Sequence, residues 1–328
     1  MEKLNIYSTT HTLYLALKVI DEINNLRNYD QVFSDFEKTE LGECKIESFA
    51  NGELTCQYKE SIRDKKIYIF GQTGTHEIME LLLMIDAAKR SSAGKIIAVI
   101  PSYGYARQDK KEGIRGPMGA KLVADLLSAA GIDGLITIDL HADAIQGFFN
   151  VPVNHINGFS IFGSELKKII ADNHEKYIIC SPDAGGFVRA NKFAKKLGLE
   201  GAVAINKERD KPGSISKMLL MADVTGKNII LVDDLADSCK TLCMASDYLM
   251  NNKKANSVIA ICTHPILSGN AIDTILKTSN LSNIYFSDTL YFNNEFENSK
   301  IKIISCATII AKIIGRISKG KSMDLVNS

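Results

Sequence analysis

Residues 228–241 read NIILVDDLADSCKT. Four apolar residues, Ile229 to Val232, run without a polar break, as expected of a parallel strand covered on both faces. They end on two adjacent acids, Asp233 and Asp234. Asp237, Ser238 and Thr241 follow, and then another apolar run. A buried strand that hands two carboxylates, and then hydroxyls, to the start of a helix suits a phosphorylated sugar. The acids can take sugar hydroxyls or a metal, and the turn's N–H groups and the helix start can take the phosphate. A DD pair alone is more often the solvated end of a strand; the hydroxyl-bearing loop at fixed offset favours the sugar-phosphate reading.

Outward from this stretch, apolar runs recur at Ile67 to Phe70, Ile96 to Ile100, Leu135 to Ile138, Tyr177 to Cys180, Ala202 to Ile205 and Val258 to Cys262. All are continuous rather than alternating, which predicts buried parallel strands. The stretches between them have helical spacing, as at Met79, Leu82, Leu83 and Ala87, or Leu122, Leu126 and Ala129. Strand–helix alternation throughout implies a doubly wound α/β architecture, with chemistry at the carboxyl ends of strands. Asp139, Asp183 and Asp233–Asp234 all follow or close such strands. Pro, Asn and Gly cluster between Asn150 and Gly158, which marks a domain boundary. Residues 206–216, NKERDKPGSIS, carry five charges, a Pro and a Gly, and read as a mobile loop rather than an element.

Composition narrows the class. The chain has 328 residues, 45% hydrophobic and 23% charged, with a net charge of +1. These are values of a globular protein of one or two domains, with no dedicated nucleic-acid surface. No apolar stretch is long enough to span a bilayer and no signal peptide is apparent, so a cytoplasmic location is expected. The seven cysteines are scattered; Cys239 and Cys243 lack a second pair at zinc-finger spacing, and all are expected to be reduced thiols.

VDDLADSCKT resembles the phosphoribosyl-diphosphate binding motif, and the chain resembles the ribose-phosphate diphosphokinase (PRPP synthetase) family. FANGE (49–53), IPSYGYARQDKK (100–111), TIDLHADAIQGFF (137–149), CSPDAGG (180–186), NKERDK (206–211) and THPILSGNA (263–271) are similar to family blocks and stand in the family's order. The likeness runs from about residue 45 to about residue 318.

The resemblance implies two similar doubly wound α/β domains of phosphoribosyltransferase type with the active site between them. The expected bounds are 1–153 and 154–328, with the C-terminal segment able to pack back on the N-terminal domain. It implies Mg2+-dependent transfer of the β,γ-diphosphate of ATP to ribose 5-phosphate. Lys207, Arg209 and His141 would be catalytic, and His141 and Asp183 would hold the metal. Phe49, Asn51, Glu53, Arg107 and Gln108 would bind the nucleotide, the first three completing a neighbouring subunit's site. Asp233, Asp234, Asp237, Ser238, Cys239, Lys240 and Thr241 would bind the sugar phosphate. A dimer-based homo-oligomer, a hexamer in the family, is implied, with no nucleic-acid or membrane partner. Taken alone, His141 would be a structural histidine, and Lys207 and Arg209 a solvated run.

GRISKGKS (315–322) fits the phosphate-loop spacing, but residues 307–317 read as an amphipathic helix and only six residues follow, so the nucleotide is expected elsewhere. Two departures from the family matter. Lys240 stands where the family loop has glycine, and it adds bulk and a cation and restricts the backbone. That leaves open a second acceptor, a 5-substituted ribose such as ADP-ribose. A third reading is a non-catalytic regulatory subunit that binds PRPP or nucleotide; the retained Lys207, Arg209, His141, Arg107 and acid pair speak against it. The second departure lies at Gly113 and Ile114 and in the final GKSMDLVNS, where the likeness does not extend to phosphate activation and ADP inhibition.

Overall fold

The apolar runs form strands of two parallel sheets in a computed structural model, which describes residues 2–111, 113–208, 217–293 and 300–323. The chain separates into two units, residues 1–157 with 306–328, and residues 158–305.

The first unit contains β1 (Asn5–Ser8), α1 (Leu13–Leu26), β2 (Cys44–Ser48), β3 (Leu54–Tyr58), β4 (Lys66–Phe70), α2 (Ile78–Arg90), β5 (Lys95–Val99), α3 (Gly119–Ala130), β6 (Gly134–Ile138) and β7 (Val153–Ile156). Its sheet has the order β1-β4-β5-β6-β7, all parallel. Ile67, Ile69, Ile96, Ala98 and Leu135 pack on Leu81, Met84 and Ile85 of α2 and Val123 and Leu127 of α3. β2 and β3 form a separate antiparallel hairpin.

The second unit contains α4 (Phe159–Ile170), β8 (Tyr177–Ser181), α5 (Phe187–Lys196), β9 (Ala202–Ala204), β10 (Asn206–Glu208), β11 (Lys217–Leu219), β12 (Asn228–Ala236), α6 (Lys240–Asn251), β13 (Ser257–Pro265), α7 (Ala271–Lys277), β14 (Asn283–Ser287) and β15 (Ile301–Ile304). Its sheet order is β15-β14-β13-β12-β8-β9, again parallel. Ile229 and Leu231 pack on Leu242, Ala245 and Leu249 of α6.

The last helix, α8 (Ala307–Ser318), groups with the first unit. Its Ile310, Ile313 and Ile314 are fully buried, each contributing about 1.5–3 kcal/mol of apolar burial. It packs along α1. Tyr68 Oη lies 2.7 Å from Ser318 Oγ, and Lys66 Nζ donates to the Ile317 carbonyl at 3.2 Å. Gly315 sits within this helix, and a Cβ there would lie 2.3 Å from the Phe33 ring. GRISKGKS thus begins inside a packed helix and is no phosphate loop.

Two further expectations change. Asn206 to Glu208 are a strand, paired antiparallel with Lys217 to Leu219, because the backbone of β10 finds a partner across the connection. Residues 209–216 lie outside the described residues. The central strand does not stop at Val232 but continues through Ala236, since β13 pairs with it up to Ala236↔Pro265.

Candidate functional site

The second unit gathers charge at the carboxyl ends of β8 and β12. Pairing of β8 with β12 stops at Leu231↔Cys180, whereas β13 stays paired five residues longer. One edge of β12 is therefore released where the two acids sit. Residues 182–186 turn away there. Asp183 Oδ1 accepts the Gly186 N–H at 3.0 Å, and Ser181 Oγ donates to the Asp183 carbonyl at 2.6 Å. A Cβ on Gly186 would come within 2.5 Å of that hydroxyl, so glycine permits the close turn. Asp183 Oδ2 faces Lys207 Nζ at 3.8 Å; the lysine side chain is 4% exposed and the aspartate 45%.

Successive strand residues point to opposite faces. Asp233 follows Ile229 and Leu231 toward the α6 face. Asp234 points to the α5 face, where Arg189 Nη1 donates to its Oδ1 at 3.0 Å. The Asp234 N–H donates to Asp233 Oδ1 at 3.0 Å. Burial, and then the charge of Asp234, push the Asp233 carboxyl well above the usual carboxylate range; Asp183 adds to the shift and Arg189 opposes it.

The following loop is fastened from behind. The Ala236 carbonyl accepts from Leu267 N–H at 3.0 Å and the Asp237 carbonyl from Ser268 N–H at 3.1 Å, while Ser268 Oγ donates to the Asp237 carboxylate. The left-handed residue is Cys239 (φ 59°), one position before Lys240. Lys240 opens α6 and is exposed, so it does not occupy the left-handed position of the loop. Burial pushes the Cys239 thiol up to about 12, so it remains protonated. Ser238 is exposed and Thr241 half-buried on the first turn of α6.

The first unit holds the other candidates in three places. Asp139, buried at φ 43°, follows β6; its N–H donates to the Ile156 carbonyl at 2.7 Å. The next turn is braced by His155, whose Nε2 accepts from Leu140 N–H at 2.9 Å. That bond leaves the ring proton on Nδ1, 3.6 Å from Asp143. His141 is exposed on this turn. Arg107 and Gln108 are exposed on the loop after β5. That loop is anchored by Gly104 N–H on Thr73 Oγ1 at 2.7 Å, and a Cβ on Gly104 would meet the Thr73 carbonyl at 2.4 Å. Phe49, Asn51 and Glu53 form the tip of the β2–β3 hairpin. Phe49 N–H donates to the Glu53 carbonyl, Asn51 Oδ1 accepts from Glu53 N–H, and Gly52 takes φ 88°. Phe49 is 59% exposed.

The structure thus groups Asp183, Lys207, Asp233 and Asp234. Arg209 lies outside the described residues. Sequence reasoning missed Arg189 and gave Ser268 no role. A signal for Arg189 was present: a cation in the first turn of a helix opposes the helix dipole, so its presence there asks for an acid nearby. Among the described residues, no three His, Cys, Asp or Glu side chains converge as a ready-made metal site. None of the seven cysteines is in a disulfide. No described helix is long and apolar enough to cross a membrane.

Residues 4–131 match the family described as the N-terminal domain of ribose phosphate pyrophosphokinase, and residues 199–327 match the phosphoribosyl synthetase-associated domain. A ribose-phosphate pyrophosphokinase of Porphyromonas gingivalis is 41% identical, over 97% of this chain and 96% of its own. Ribose-phosphate pyrophosphokinase 3 of Saccharomyces cerevisiae is 42% identical, over 87% and 89%. The crystal structure of phosphoribosylpyrophosphate synthetase from Mycobacterium smegmatis superposes with a TM-score of 0.85 at 31% identity, covering 98% of this chain and all of that one. On these matches, over nearly the whole length of the chain and of its relatives, the chain belongs to the ribose-phosphate pyrophosphokinase family.

Proposed function

We propose that this protein transfers the β,γ-diphosphate of ATP to the C1 hydroxyl of ribose 5-phosphate, giving phosphoribosyl diphosphate and AMP. The observation that carries the reading is the released edge of β12, where Asp233, Asp234 and the fastened 237–241 loop meet Asp183 and Lys207, in a chain whose relatives bear that activity's name over nearly their whole length. The C1 oxygen forms a bond to the β-phosphorus as the bond from that phosphorus to the α,β-bridging oxygen breaks. AMP leaves, and the hydroxyl proton is released.

Each residue has a role in this reading. Asp233 and Asp234 hold the ribose hydroxyls. The N–H groups at the start of α6, with Asp237, Ser238, Cys239, Lys240 and Thr241, hold the 5-phosphate. Lys207, and Arg209 beyond the described residues, place positive charge on the transferring phosphates. Arg107 and Gln108 take the nucleotide, and Phe49, Asn51 and Glu53 take the nucleotide of a neighbouring subunit in a dimer-based, hexameric assembly.

Magnesium fits as the metal. Asp183 offers hard carboxylate oxygen, His141 stands exposed beside its own strand end, and Mg2+ characteristically takes one or two protein ligands and completes its shell with water and substrate phosphates. When bound, it would neutralise charge on the phosphates. Asp183 would hold it, and Lys207, 3.8 Å away, would orient the Asp183 carboxylate. The ADP-ribose reading loses ground: Lys240 bears no left-handed strain, and the relatives are named for ribose phosphate. The same names weigh against a non-catalytic subunit. The test is AMP release from Mg–ATP with ribose 5-phosphate, with ADP-ribose, and with neither. AMP only with ribose 5-phosphate supports the reading; AMP only with ADP-ribose, or none with either, overturns it.

A further inference from the structure

Four acids share the acceptor end of the second unit: Asp183 on the turn after β8, Asp233 and Asp234 on β12, and Asp237 on the loop that follows. The acceptor is itself an anion, so uncompensated acids there would repel the molecule it binds. Lys207 faces Asp183. The second compensating cation is Arg189, in the first turn of α5, 3.0 Å from Asp234, and the two side chains are 14% and 6% exposed. The pleat turns Asp234 to the α5 face, away from the face on which α6 begins. Its N–H simultaneously holds Asp233 Oδ1. One residue of β12 is therefore tied on its side chain to α5 and on its backbone to the neighbouring carboxylate.

We propose that Arg189 is a positioning residue for the acceptor: by fixing Asp234 against α5 it sets the orientation and net charge of the acid pair that receives the ribose. The inference rests on the ribose 5-phosphate reading above. Arg189 does not act on the reacting phosphorus, so its effect should fall on the acceptor more than on ATP. A lysine at 189 keeps the charge but loses the planar donor fork that grips a carboxylate, and it should recover part of the effect.

The experiment compares wild type, Arg189→Lys and Arg189→Met by initial rates of AMP release, varying each substrate in turn, together with calorimetric titration of ribose 5-phosphate. Losing one partner of a buried charge pair is expected to raise the KM for ribose 5-phosphate in R189M about tenfold or more, with the KM for ATP within about twofold and R189K between the two. Equal changes in both KM values, or an acceptor KM unchanged in R189M, would overturn the positioning role. If R189M does not fold, R189K decides: an acceptor KM equal to wild type's refutes the proposal, and a selective rise supports it. Wild type that fails to release AMP with ribose 5-phosphate would instead bring down the function on which the inference rests, a result seen before any variant is made.

Discussion

Replacing Lys207 with methionine should remove turnover without weakening the fold. The lysine stem is buried, with the side chain 4% exposed, and methionine fills a similar volume with no charge. At 3.8 Å, opposite unit charges interact by 332/(20 × 3.8), about 4 kcal/mol at an effective dielectric of about 20. Asp183 is nearly half exposed, so water screens part of this, and the loss of the pair itself should cost the fold at most about 1 kcal/mol. A phosphoryl oxygen entering at similar range, with water excluded, keeps most of the attraction. Loss of one such stabilising group typically lowers kcat by about 10²–10³, or about 2.7–4 kcal/mol. The assay is saturating Mg–ATP and ribose 5-phosphate with AMP quantified, beside a thermal melt. Turnover within tenfold of wild type would remove Lys207 from the mechanism. Lost activity with a collapsed melting transition would mean that the residue is structural.

Other outcomes follow from the same geometry. Asp233→Asn should melt higher than wild type at neutral pH while losing acceptor binding. A carboxyl raised in the folded state is most compatible with folding when protonated, so its contribution is full at low pH and is lost as pH rises through the folded-state value. The melting advantage of asparagine should therefore shrink as pH falls; an advantage that grows on acidification would contradict the assignment. Gly315→Ala places a methyl against the Phe33 ring and should cost about 1–3 kcal/mol of overpacking, offset by about 1 kcal/mol of helix propensity. Phe33→Leu should relieve it, so strict additivity in denaturant melts would refute the contact. Alkylation at pH 8 followed by peptide mass spectrometry should label Cys56 ahead of Cys180 and Cys239. The Cys44 side chain hydrogen-bonds to Cys56 and lowers its pKa, whereas burial pushes the other two up to about 12. Equal labelling of all three would count against those environments.

The runs that form β4, β5, β6, β8, β12 and β13 were legible because burial makes each read as a continuous apolar stretch, and the edge strand β9 was read with them. β1, β7, β14, β15 and the β2–β3 hairpin were not. NIYS, VNHI and CKIES are short and mixed, and they form only because neighbours supply their backbone partners. The acids of β12 were legible as a strand-end motif, but the strand's continuation past them depends on β13, which follows later in the chain. Lys240 shows the limit of reading a loop by substitution. The glycine pattern suggested strain at 240, yet the left-handed position is Cys239. Arg189 escaped because its meaning lies in a partner 45 residues later. The placement of α8 in the first unit depended on matching its apolar face to α1, a pairing that no local pattern encodes.

In the proposed reaction the C1 oxygen of ribose 5-phosphate attacks the β-phosphorus of ATP. Ribose 5-phosphate carrying 18O at C1, incubated with Mg–ATP and the protein, tests it by mass spectrometry and 31P NMR of the product. The expected products are AMP without label and a phosphoribosyl diphosphate with 18O in the bridge between C1 and phosphorus, at the enrichment that the unreacted ribose 5-phosphate still carries. Label in AMP, a bridge without label beside substrate that has kept it, or no diphosphorylated sugar at all would contradict it.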